Sequence, residues 1–103
     1  MDYTIEDFKR DIEEVLVACQ EEIQAIQSGE KRDATVWQIE EYIIPEMEDL
    51  LEKIKTGSLP EKKSRYISAA QQIMKNWSWD IRSDEKLTDL IGWLDTNYHR
   101  LEP

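Results

Sequence analysis

The chain has few of the residues from which reactive sites are usually built. Its 103 residues include one cysteine, Cys19, and one histidine, His99. A lone cysteine excludes an intrachain disulfide. Cys19 falls on an apolar helical stripe, where a buried structural thiol is expected rather than a reactive one. His99 shares a helix face with Asp95, four residues before it, but a metal site usually needs three or four ligands. An exposed histidine near a helix C-terminus, where the cation is favoured, is the expectation. There is no Cys-x-x-Cys, no Gly-rich phosphate loop and no serine in a strand-turn-helix elbow. The acidic pairs Glu13-Glu14, Glu21-Glu22, Glu40-Glu41 and Glu48-Asp49 are adjacent in sequence. Neighbours on an α-helix point about 100° apart, so these pairs read as solvated faces and not as acid–base dyads. The expectation is a protein that is not an enzyme and uses neither cofactor nor metal.

Glycine and proline are also scarce, at three each, which argues against a loop-rich or disordered chain. No stretch of 18 apolar residues occurs, and Met1–Phe8 is acidic and polar. Neither a membrane span nor a signal peptide is therefore expected, and with the single thiol this points to the cytoplasm.

Basic residues are outnumbered. Twenty-three acidic and 13 basic side chains give a net charge of −10. Such a chain repels phosphate backbones and anionic headgroups, so neither nucleic acid nor membrane is an expected partner. It attracts basic proteins, and it is also kept in solution by its charge. The charge is uneven. Residues 1–57 carry 16 acidic and 6 basic groups, whereas residues 58–103 carry 7 of each. Lys62, Lys63, Arg65 and Lys75 make the third segment locally basic, so part of the asymmetry is expected to be internal complementarity between helices.

What the chain has in quantity is helical periodicity. Length and composition fit one domain spanning residues 1–103. Thr4, with Asp7 three residues on, resembles a capping box and opens the first helix. Ile5, Phe8, Ile12, Val15, Leu16, Cys19, Ile23 and Ile26 follow in steps of three and four, and Ser28-Gly29 closes it. Glu30–Ala34 is a charged linker, and Thr35 with Gln38 opens the second segment. Its stripe is Val36, Ile39, Ile43, Met47, Leu50, Leu51 and Ile54, ended by Gly57. Pro45 interrupts it, because proline lacks an N–H and crowds the carbonyl four residues back. Acids just after Pro45 suit a new helix start, whereas the unbroken apolar phase suits a kink. Ser58-Leu59-Pro60-Glu61 predicts the start of a third helix carrying Leu59, Tyr66, Ile67, Ala70, Ile73, Met74 and Trp77. Trp77-Ser78-Trp79 would plug the end of the core. Ser83 caps a fourth helix whose stripe is Leu87, Leu90, Ile91, Leu94, Tyr98 and Leu101, with Gly92 off that stripe. Four amphipathic helices and short linkers predict an all-α, mainly antiparallel four-helix bundle, its second helix kinked or split at Pro45.

With chemistry absent, the surface carries the functional reading. On a regular helical wheel Trp37, Glu41, Ile44 and Glu48 form one apolar and acidic row at the margin of the second stripe, beside Glu40. Exposed tryptophan ringed by polar residues is the composition of interface hot spots. Large aromatics covering a core margin give the same pattern. Trp37, Glu40, Glu41, Ile44 and Glu48 are the candidate partner-binding residues.

The opening Asp2-Tyr3-Thr4-Ile5-Glu6-Asp7-Phe8 resembles the start of the immunity proteins that neutralise nuclease colicins and pyocins. Thr88-Asp89-Leu90-Ile91 resembles a further short piece of them, although Gly92-Trp93 stands where that family has a double tyrosine. The likeness covers about ten residues, and no binding residue is carried over from it. It implies a small acidic four-helix protein that blocks a basic toxin. The leading expectation is accordingly a bacterial immunity or inhibitor protein for a basic toxin domain. The alternative is a structural or regulatory adaptor, which as a homodimer would bury Trp37 and Trp93 between copies; in either reading a monomer or weak homodimer is expected.

Overall fold

Local capping accounts for where the first helix begins and ends and for where the second segment stops. The computed structural model describes residues 3–30, 36–68, 70 and 85–101, and within them the regular structure is all helical. Helix α1 spans Ile5–Gln27. The Thr4 N–H donates to Asp7 Oδ2 at 3.0 Å and the Asp7 N–H to Thr4 Oγ1 at 3.1 Å, a complete capping box despite the short acidic side chain. The Thr4 N–H and the Thr4 hydroxyl, which also donates to Asp7 Oδ2 at 3.0 Å, hold the Asp7 carboxyl below its ordinary pKa, with a smaller contribution from Arg10. Gly29, at φ +94°, lets the chain turn away after α1.

Helix α2 (Val36–Gln38), a π turn (Ile39–Ile43) and helix α3 (Ile44–Thr56) run on without leaving the right-handed helical region. The sequence left a kink and a break open at Pro45. The helix in fact continues through a widened turn just before the proline, in which the Ile44 N–H donates to the Ile39 carbonyl five residues back. Proline cannot fill the next place in the ladder, and the wider turn relieves the crowding of its ring. Gly57, left-handed at φ +68°, ends α3 as expected. Helix α4 spans Glu85–Arg100.

The start expected at Ser58 is the main correction. Lys62–Ser64 forms a single 3₁₀ turn, residues 65–67 are not helical, and helical backbone resumes only at Ser68 and Ala70. Tertiary contacts override the local signal. The Ile67 N–H donates to Asp95 Oδ1 of α4 at 2.8 Å, and the Ser68 N–H donates to Glu46 Oε2 of α3 at 2.7 Å. Two carboxylates from two helices thus cap donors at a helix start, where the dipole favours negative charge. Thr35, Ile73, Met74, Lys75, Trp77–Trp79 and Ser83 lie outside the described residues.

Helix α1 packs against both α3 and α4. Phe8, Ile12, Val15, Cys19 and Ile23 of α1 meet Ile39, Ile43, Met47 and Leu50 of the second segment and Leu87, Ile91, Leu94 and Tyr98 of α4, all buried. Each such side chain contributes about 1.5–3 kcal/mol on leaving water. Phe8 stacks on Tyr98 with centroids 4.9 Å apart. Leu16, Ile26, Val36, Leu51, Ile54 and Leu90 pack half-buried around this core. Ile5, expected on the stripe, sits in the first turn of α1 and stays 39% exposed. Gly92 is exposed and off the stripe, as the wheel places it.

Candidate partner-binding face

The π turn decides the outer face of the second segment. In an α-helix, residues five apart lie about 140° from one another. The i to i−5 bonding of a π turn brings such residues closer to one face. Trp37 and Tyr42 accordingly meet across it, edge to face, with ring centroids 5.1 Å apart and planes at 78°. They remain 59% and 46% exposed. The regular wheel placed Trp37 in a row with Glu41 and missed Tyr42. An extra residue in one turn could not be inferred from apolar spacing alone.

The candidate residues therefore fall into two places. Trp37, Glu40 and Glu41 are exposed, the two glutamates in the same π turn as Tyr42, and neither glutamate has an ion-pair partner among the described residues. Ile44 is half-buried and packs against the core, so it anchors the face from beneath. Glu48 is exposed over a shallow groove between α1 and α3, whose walls include Lys9, Glu13, Leu51, Glu52 and Lys55. Asp49, beside it, is paired with Lys53 at 3.0 Å, which holds the lysine above its ordinary pKa. The face is thus acidic and aromatic near the π turn and mixed in charge along the groove.

The Cys19 thiol is buried and its pKa is pushed up to about 12, first by desolvation and then by the nearby Glu22 charge. His99 is exposed, its Nε2 3.6 Å from Asp95 Oδ1, the same oxygen that accepts the Ile67 amide. Arg65, read from sequence as part of a locally basic third segment, is 6% exposed. Its Nε donates to the Pro60 carbonyl at 2.9 Å, and its Nη1 donates to the carbonyls of Tyr98 and Leu101 at the end of α4. Asn97 is buried, and its Nδ2 has no partner among the described residues.

Among the described residues no three histidine, cysteine, aspartate or glutamate side chains are grouped to hold a metal ion. No helix among them is long and apolar enough to cross a membrane. Compared with known proteins, the chain matches no protein-family model, no curated protein and no solved structure.

Proposed function

We infer that this chain is a small acidic binding protein, a cytoplasmic bacterial immunity or inhibitor protein that neutralises a basic toxin domain, such as a nuclease, by direct contact. In this reading the helix resumed at Ser68 completes a mainly antiparallel four-helix bundle. The observation that carries the reading is the outer face of the second segment. It exposes Trp37 and Tyr42, with Glu40 and Glu41 in the same turn as Tyr42, carboxylates with no ion-pair partner among the described residues. Exposed acids on a chain of net charge −10 raise the encounter rate with a cationic protein and fix its orientation. The short likeness to nuclease-immunity proteins points the same way.

The test uses a basic protein that copurifies with the chain. Association should slow by about tenfold or more from low to high salt. Reversing Glu40 and Glu41 to lysine should weaken binding by a similar factor. Unchanged affinity would remove this face from the interface, and a salt-independent rate would remove the electrostatic mechanism.

One observation favours the homodimeric adaptor. Trp93 of α4 is 58% exposed, much as Trp37 is. Sedimentation over a range of concentrations separates the readings. A dimer that shields tryptophan fluorescence supports the adaptor, and a strict monomer leaves the inhibitor.

A further inference from the structure

The aromatic pair on the π turn is more specific than an acidic surface needs. General attraction of a basic protein requires only charge, and α1 supplies that as well: Glu13 and Glu14 are exposed with no ion-pair partner among the described residues. The second segment adds two rings fixed edge to face at 5.1 Å, with Glu40 and Glu41 in the same turn. Aromatic faces attract cations through the ring quadrupole, tryptophan most strongly. A guanidinium also stacks flat on a ring while its N–H fork donates to a carboxylate, which a compact, strongly hydrated ammonium does less well. The Trp37–Tyr42 contact orders both rings before any partner arrives, so less side-chain entropy is lost on binding.

We propose that Trp37 and Tyr42, with Glu40 and Glu41, form a receptor for an arginine side chain of the basic partner. This rests on the reading of the chain as a binder of basic proteins, and it names the group that the face selects. The wide turn is the device that assembles the receptor, since a regular helix would place the two rings on diverging faces.

Hexa-arginine and hexalysine serve as probes, followed by NMR of the full chain at low salt. Hexa-arginine should shift the Trp37 indole N–H and the Tyr42 ring resonances and bind several-fold more tightly than hexalysine. Trp37→Ala should weaken hexa-arginine binding by about tenfold or more, as loss of a hot-spot aromatic does. Glu13→Gln with Glu14→Gln, which removes the same charge as Glu40→Gln with Glu41→Gln, should weaken it far less than the latter pair. Tyr42→Phe, which keeps the ring, should bind nearly as the native chain does. Equal binding of the two peptides, or equal loss from both glutamine pairs with none from Trp37→Ala, would overturn the receptor and leave charge attraction in place. Failure of both peptides to bind at low salt would instead overturn the underlying reading.

Discussion

The guanidinium of Arg65 lies over the ring of Tyr98, 5.6 Å from its centroid, and donates to the carbonyl of that same residue. One side chain from the connection after α3 therefore closes the end of α4. It fills carbonyls that a helix C-terminus leaves open, at the end where the dipole favours a cation. Among the described residues the buried charge is compensated by backbone oxygens and by no carboxylate. Arg65→Met, which keeps much of the apolar stem, should still destabilise the fold by about 2–4 kcal/mol in urea titrations, because the carbonyls of Tyr98, Leu101 and Pro60 lose a charged donor. Arg65→Lys should recover only part of this loss, since one ammonium cannot reproduce the fork. A cost below about 1 kcal/mol for Arg65→Met would show that water satisfies those carbonyls equally well.

Asp95 and Glu46 hold the two amides at the resumed helix start. Asp95→Ala should cost about 1–2 kcal/mol, in the range of other lost N-terminal caps. Asp95→Asn keeps an acceptor oxygen and should cost less. Native-state hydrogen exchange gives the direct readout. The Ile67 amide should exchange faster in Asp95→Ala and the Ser68 amide faster in Glu46→Ala. Unchanged exchange at both positions would mean that the carboxylates are incidental neighbours.

Pro45 is the expected cause of the π turn. Alanine in its place restores a backbone donor and removes the crowding ring. Pro45→Ala should therefore let Ile39–Ile43 relax to α-helical bonding and move Trp37 away from Tyr42. The nuclear Overhauser contact between the two rings should disappear and the near-ultraviolet circular dichroism should change. A retained contact would assign the π turn to core packing at Ile39 and Ile43 instead of to the proline.

Cys19 makes a prediction about reactivity and pH. Its pKa is raised from 9.0 to about 12 by burial, so the folded state holds the neutral thiol. A group whose folded pKa is raised contributes stability that is fully present below its unfolded pKa and is lost as pH rises toward the folded one. Stability should therefore fall between about pH 9 and 12, with Tyr3 and Tyr98, also raised from 10.0, adding to the fall above pH 10. Cys19→Ala should lower the starting stability through its small cavity yet flatten the decline between pH 9 and 10. Alkylation at pH 8 should be slow in the native protein and rapid in denaturant. Rapid native labelling would place the thiol at the surface.

Much of the fold was legible in the sequence where the determinant was local. Thr4 with Asp7, Gly29 and Gly57 mark helix ends because capping depends on a few consecutive residues. The stripe from Phe8 to Ile23 and that from Leu87 to Leu101 were readable because burial follows helical period. The acidity of residues 1–57 is likewise a property of composition alone.

The tertiary structure decided what depended on distant partners or on a change of helical pitch. Ser58-Leu59-Pro60-Glu61 carries a strong local start signal, yet helical backbone resumes only at Ser68, where Asp95 and Glu46 reach the chain from other helices. Arg65 reads only as one cation of a locally basic segment until the end of α4 is placed beside it. Tyr42 joins Trp37 only because one turn is wider than a regular helix allows. Capping signals act over three or four residues, whereas a hydrogen bond spanning 28 residues in sequence, as between Ile67 and Asp95, exists only once the helices have packed.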